Sequence, residues 1–469
     1  MTEDAIQQAV SYAESRQDAH MDGFMELLRI PSVSTDPAYK EDLERCAGWI
    51  VTELDKLGFE KAAAMPTEGH PIVYAEWLKA GDDKPTVLVY AHYDVQPVDP
   101  LELWDTPPFE PTIRDGKLFA RGVIDDKCGV YINLKAFESI MATSDGMLPV
   151  NIKILFEGEE ESGSPSVEPF IMEHKELLAA DFMLICDAGS APGEPRMFYT
   201  ARGIIGANVT ITGPIDYDIH SGVGGGMVIN PLHVAGKMIA GLHHADGSVA
   251  IPGWFDDVKL PDEAERQVMI ASNDAFRAMV EERYDVSDTT WGEETEPVAY
   301  IRATALPTAE VNGMWGGYQG HGGKTIIPRQ AAFKITFRTV PDQDPEKLQQ
   351  LFVDYIRGFE TNGIKTAVVF EQGSWAVQLM RDEPPVQAIH KAFEATWGQR
   401  ATMYRQGGSV PIMSVFQRAL GMPIATLGFA VGAQAHAPNE YYELDWFFTN
   451  LKTAIHFYHY LPEEMANGA

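Results

Sequence analysis

The sequence predicts an α/β protein: a mostly parallel sheet flanked by helices, interrupted by an inserted α+β domain. Two observations predict it. Short runs that are apolar almost throughout, such as 150–156 and 182–186, alternate with longer segments of helical spacing, the pattern of strands covered by helices on both faces. The texture then changes near Arg202 and returns near Glu383. The expected division is therefore an outer domain formed by 1–202 and 383–469, with 203–382 inserted into it.

Residues 3–29 have helical spacing and stop at Pro31, and a second helical pattern runs from Lys40 to Leu57 and closes on Gly58. Residues 72–77 and 86–90 are rich in Val, Ile and Tyr and are expected as strands. A helix after Asp126, strand 150–156, helix 166–179 and strand 182–186 continue the alternation. Within the insertion, 204–212, 331–340 and 364–370 are expected as strands, with helices from Pro231 and over 345–359. Beyond Glu383 come a helix, strand 402–405, a helix, strand 424–427 and a final helix after Leu444.

The chain has 469 residues, more than one ordinary core holds. Asp and Glu number 68 against 36 Lys and Arg, a formal net charge of −32. Nucleic acid and anionic membranes reward basic surfaces, so both are excluded as expected partners. No apolar run approaches a membrane span, and no leader pattern opens the sequence. Three widely spaced cysteines (Cys46, Cys128, Cys186) fit a reduced cytoplasm as small core residues.

Chemistry concentrates where the apolar runs end. Val87–Ala91 is followed by His92 and Asp94, which alternation turns the same way. Asp125 and Asp126 open a helix, Glu159, Glu160 and Glu161 follow strand 150–156, and Asp187 follows strand 182–186. His436 lies beyond strand 424–427. Singly, each has a structural reading as a helix cap, a paired histidine or a solvated turn. Together, clusters at successive strand ends form a ligand inventory, because site residues gather at the C-terminal ends of parallel strands. Two histidines with several carboxylates suit zinc, manganese or cobalt; calcium prefers oxygen alone and structural zinc prefers cysteine. More carboxylates than one ion needs point to two metals with a bridging aspartate and an activated water.

The segments HYDVQP (92–97), RGVIDDKCG (121–129), EGEEESGS (157–164), ICDAG (185–189), DIHSG (218–222), GGKTIIPR (322–329), FRTVP (337–341), RQGGS (405–409) and GAQAHAPNE (432–440) together resemble the co-catalytic di-metal peptidases. That family includes carnosinases, cytosolic non-specific dipeptidases, aminoacylase-1-like deacylases and succinyl-diaminopimelate desuccinylase, and the dipeptidase branch fits best. The resemblance implies a metal-dependent dipeptidase whose outer domain is catalytic and whose insertion is a lid and dimerisation domain. It implies two divalent ions per subunit, with zinc favoured over manganese or cobalt. His92 and Asp187 would hold one and Glu161 and His436 the other, with Asp125 bridging and Asp94 orienting His92. It also implies a cis Asp125–Asp126 peptide.

By the same resemblance Glu160 is the general base, and His220 acts on the oxyanion across a homodimer interface. Arg338 takes a dipeptide's carboxylate with support from Thr325, Ser409 and Gly408. The additional Glu159 leaves a second register open, with 159/160 in place of 160/161. Two alternatives remain: an N-acyl or N-succinyl amino acid deacylase, and a peptide-binding homologue without catalysis. His243, His244, His456 and His459 are expected as helix-end or packing residues. Gly222–Gly226 lacks the lysine of a phosphate loop, and Cys186 lacks an adjacent base.

Overall fold

The computed structural model describes residues 3–285, 297–371 and 373–468. The chain divides into two compact units. One is Met1–Tyr199 with Leu379–Tyr404 and Val415–Ala469, and the other is Thr200–Gln378 with Arg405–Ser414.

The first unit is built on a six-stranded sheet. Its order is Glu60–Met65, Ile72–Trp77, Asn151–Glu157, Thr86–His92, Phe182–Ile185 and Ile424–Thr426. Thr86–His92 lies parallel to both neighbours, and Ile424–Thr426 is parallel to Phe182–Ile185. The two pairings at the Glu60–Met65 edge are antiparallel. The central strands are buried along their whole length, as uniformly apolar strands should be between helices. Helix Lys127–Ala142 is buried nearly throughout, and its N-cap Asp126 accepts the Gly129 N–H at 3.2 Å. The last helix, Leu444–Asn467, joins it through Tyr458, whose hydroxyl donates to Asn133 Oδ1 at 2.7 Å. His456 and His459 lie on that helix.

Two helices expected as continuous are broken. The 3–29 segment forms Glu3–Ser15 and Gln17–Leu28, because Arg16 leaves helical geometry at φ −114° and ψ 14°. The 166–179 segment forms Val167–Glu173 and Lys175–Leu178, with the break at His174. Thr402–Gln406 is a strand, but it lies outside the six-stranded sheet.

The second unit holds a four-stranded antiparallel sheet in the order Thr308–Gly316, Gln330–Thr339, Gly203–Thr212, Lys365–Phe370. Helices Pro231–Ala240 and Pro345–Arg357 contribute Val234, Met238, Leu348 and Phe352 to its core, which includes Val209, Phe333 and Phe337. Three further helices, Glu263–Ala271, Asn273–Tyr284 and Ala299–Ala305, escaped the sequence reading. They gather only the small cluster Met269, Ile301 and Ala305, too sparse a stripe to signal a helical face. Among the described residues no helix is long and apolar enough to cross a membrane.

Candidate active site

Parallel pairing brings the strand ends together. His92 is in register with Glu157, and Tyr90 with Ile185, so His92, the acidic turn and Asp187 emerge at one edge of the sheet. The loop after Gly432–Ala433 delivers His436 with a left-handed backbone, at φ 61°. The Asp125–Asp126 peptide is cis, as the resemblance implied.

Two groups of metal-ligand type form there: His92, Asp126 and Asp187, and Asp125, Glu161 and His436, each with donor atoms within 4.8 Å of one another. Asp125 touches both histidines. Its Oδ1 is 3.1 Å from His92 Nε2 and its Oδ2 is 2.9 Å from His436 Nε2. His436 Nε2 is also 3.2 Å from Glu161 Oε2. Asp126, to which the sequence reading assigned no metal, joins the first group by proximity. Its oxygens are engaged by backbone, with the His92 N–H at 3.4 Å and the Gly129 N–H at 3.2 Å.

Asp94 is fully buried and serves two neighbours. His92 Nδ1 lies 3.1 Å from its carbonyl oxygen and 3.3 Å from its Oδ1, which leaves Nε2 facing Asp125. Its two carboxylate oxygens also accept the Glu160 and Glu161 N–H groups, at 3.2 and 3.0 Å. The turn's three glutamates therefore diverge. Glu159 turns away and accepts the His70 N–H at 2.9 Å and the Ser166 N–H at 3.2 Å. Glu161 accepts from Gln96 Nε2 at 2.6 Å and meets His436. Glu160 has neither kind of partner for its carboxylate among the described residues.

The cluster carries more negative charge than its histidines neutralise. Burial pushes the Glu160 carboxyl up to about 9. Burial, with the nearby Asp125 and Glu161, lifts Asp187 to about 6. Burial and Asp187 push Asp126 well above the usual carboxylate range. Hydrogen bonds to Asp125 and Glu161 raise His436 to about 10. For His92 burial works downward, but Asp125 and Asp94 hold it well above the ordinary imidazole value. Asp125 is lowered against its burial by the same two histidines. A buried carboxylate excess with two imidazoles is a donor set that divalent cations fit, since their charge removes the repulsion.

In the second unit, His220 pairs with Ile326 and is exposed. Its Nδ1 accepts the Gly222 N–H at 3.0 Å, which leaves the ring proton on Nε2 as an outward donor. Arg338 Nη1 donates to Ser409 Oγ at 2.6 Å. Thr325 is exposed, and its carbonyl accepts the Ser221 N–H at 2.9 Å. The Gly408 carbonyl accepts the Arg202 N–H at 3.0 Å. Segment Arg405–Ser414 groups with this unit rather than with the surrounding 383–469 stretch. Arg405 accounts for part of that through a forked bond to Glu265, at 2.5 and 3.0 Å.

The model of peptidase family M20/M25/M40 matches residues 88–464. The chain belongs to that family. It is 28% identical over 469 residues to a Cys-Gly metallodipeptidase of Schizosaccharomyces pombe, covering 96% of each protein. It is 26% identical to the Beta-Ala-His dipeptidase of Homo sapiens, covering 93% of this chain and 88% of that one. Among solved structures, an M20 family metallo-carboxypeptidase from Sulfolobus solfataricus superposes with a TM-score of 0.78 at 30% identity, over 95% of this chain and 99% of that one.

Several residues around this M20/M25/M40 centre carried no role in the sequence reading. Gln96 holds Glu161 and lies two positions after Asp94, on the same segment. Glu440 is fully buried with Arg121, whose Nη1 donates to it at 2.7 Å, and it also accepts the Gly122 and Ile124 N–H groups at 2.9 Å each. It thereby ties the loop bearing Asp125 to the loop bearing His436. Glu157 accepts from the Tyr90 hydroxyl at 2.5 Å and the Ser164 hydroxyl at 3.0 Å. A carboxylate at the end of a buried strand was the available signal for Glu157; Glu440 had none in local pattern.

Proposed function

We propose that the chain is a metal-dependent dipeptidase using two divalent cations per subunit, with zinc preferred over manganese or cobalt. One observation carries the reading: the Asp125 carboxylate lies between His92 and His436, 3.1 and 2.9 Å from their Nε2 atoms, with the half-buried Glu160 on the same acidic turn as Glu161. The similarity to a Cys-Gly metallodipeptidase and a Beta-Ala-His dipeptidase over most of their lengths supports the substrate class.

His92 and Asp187 would hold one cation and Glu161 and His436 the other, with Asp125 serving both. When bound, the cations supply Lewis acidity and bring the pKa of a water down towards neutrality. Glu160 takes a proton from the attacking water as its oxygen bonds to the scissile carbonyl carbon. The same proton passes to the leaving amine as the C–N bond breaks. Burial favours the protonated Glu160 formed in between. His220 of the partner subunit donates from Nε2 to the developing oxyanion in a homodimer. Arg338 takes the substrate's terminal carboxylate, with Ser409, Thr325 and Gly408 as polar support. The unbridged, buried Cys46, Cys128 and Cys186 fit a reducing cytoplasm.

The test is metal analysis combined with a substrate panel of dipeptides, longer peptides and N-acyl amino acids. The reading expects two equivalents of metal and turnover of dipeptides, lost on chelation and restored by zinc, manganese or cobalt. Turnover of acyl amino acids alone would replace it with a deacylase, and bound metal without turnover would make it a peptide binder. The metallo-carboxypeptidase relative favours a second reading in which longer peptides are trimmed from the C-terminus. Preferential cleavage of tri- and tetrapeptides would establish that one.

A further inference from the structure

Arg202 lies where the second unit's sheet meets the Gly407–Ser409 turn. It immediately precedes strand Gly203–Thr212, in which Gly203 pairs with Thr339 and Ile204 with Arg338. On its other side Arg338 pairs with Thr308. The Arg202 side chain spans this strand end. Its Nε donates to the Gly407 carbonyl at 2.6 Å, and its Nη1 is 3.4 Å from both the Leu306 carbonyl and Thr308 Oγ1. Its own N–H holds the Gly408 carbonyl at 3.0 Å. The next residue in the turn, Ser409, is the one bonded to Arg338.

Among the described residues neither guanidinium has a carboxylate partner. Arg338 repels the charge of Arg202, and Glu310 offsets part of that repulsion without forming an ion pair with it. Burial, and then the charge of Arg338, press the Arg202 pKa down to about 10. The turn is also tight: a Cβ on Gly407 would lie 3.2 Å from the Ala303 carbonyl oxygen and 3.5 Å from Thr304 Cγ2.

We propose that Arg202 is a positioning residue for carboxylate recognition. It fixes the Gly407–Ser409 turn so that Ser409 orients the Arg338 guanidinium, and its charge biases the site towards a free carboxylate over an amide. This rests on the assignment of Arg338 to the substrate's carboxylate. Arg202 acts through the turn and does not itself need to touch the substrate.

The experiment compares kcat and KM for a free dipeptide and its C-terminal amide in Arg202→Met, Arg202→Lys, Gly407→Ala and Arg338→Met, each checked for thermal stability. The expected result is a rise of about tenfold in KM for the free dipeptide in Arg202→Met, the scale of one charge-assisted hydrogen bond, with a much smaller change for the amide. Lysine keeps the charge but loses the fork to Gly407, Leu306 and Thr308, so Arg202→Lys should recover only the share due to charge and leave KM well above the parent's. Gly407→Ala displaces the turn while keeping both charges, and should raise the same KM even if Arg202→Met does not fold. If Arg338→Met raises that KM and neither Arg202→Lys nor Gly407→Ala does, the inference falls and the carboxylate assignment stands. Full recovery by lysine also overturns positioning. If Arg338→Met leaves the preference for free carboxylate intact, the assignment falls and the inference with it.

Discussion

Asp94 Oδ2 accepts the backbone N–H of Glu161 at 3.0 Å, so the residue that orients a histidine also sets the pitch of the acidic turn. The neighbouring Oδ1 does the same for Glu160 at 3.2 Å while facing His92 Nδ1 at 3.3 Å. One buried carboxylate thus aligns His92, at the end of one strand, with the acidic turn that follows another. Asp94→Ala should lower metal affinity by about 10–100-fold, the usual effect of removing a partner behind a ligand histidine. Competition with a chelator measures this; unchanged affinity would remove Asp94 from the centre.

Glu160 and Glu161 should separate cleanly. Glu160→Gln is expected to lower kcat by about 10²–10⁴-fold with both metals retained, as for loss of a general base. Glu161→Gln is expected to lose metal first. Stoichiometry by elemental analysis alongside single-turnover rates distinguishes the two; metal loss from Glu160→Gln would exchange their roles.

Glu159 should behave as a structural residue. Glu159→Ala leaves the His70 and Ser166 N–H groups without their acceptor and should cost about 1–3 kcal/mol. Thermal melting should show this as a lower Tm, with kcat falling far less than in Glu160→Gln. A collapse of kcat without a drop in Tm would move the catalytic pair to 159/160.

Subunits carrying His220→Ala, mixed and refolded with subunits carrying Glu160→Ala, should recover partial activity. Each mixed dimer would then hold one centre with an intact Glu160 served by an intact His220. Different affinity tags on the two subunits, purified in tandem, isolate the mixed species. Absence of recovery would reject action across the interface.

Acid should weaken the fold through two histidines outside the centre, the buried His390 and the half-buried His456. Burial lowers His390 and His456 to about 4, with Arg400 adding to the effect on His390 and Lys452 on His456. Both stay neutral when folded, whereas the unfolded chain binds protons below about 6.5. Their contribution is therefore complete above about pH 6.5 and is lost as pH falls towards 4. The metal-free His390→Leu variant should lose less Tm than the metal-free parent over that window; identical slopes would exclude His390.

Much of this was legible in the sequence because strand order and site coincide. A fully apolar strand announces itself, and polar residues just past its end can only collect at the sheet's edge. His92, the acidic run Glu159–Glu161 and Asp187 were visible for that reason, whereas the choice of Glu161 within the run and the roles of Asp125 and His436 came from the resemblance. What stayed hidden depends on distant partners. Nothing near Glu159 reveals that His70 and Ser166 need it, and nothing near Arg202 reveals the carbonyl of Gly407. The helices within 263–305 were missed because they bury so little that their spacing carries almost no apolar signal.

The buried link between Arg121 and Glu440 joins positions 319 residues apart. Synthesis must therefore pass residue 440 before the loop carrying His436 can be fastened to the loop carrying Asp125. An unfinished chain lacks the last imidazole and the clasp that secures it. If His436 is a ligand as proposed, a nascent chain that stops short of residue 440 should be unable to cut peptides.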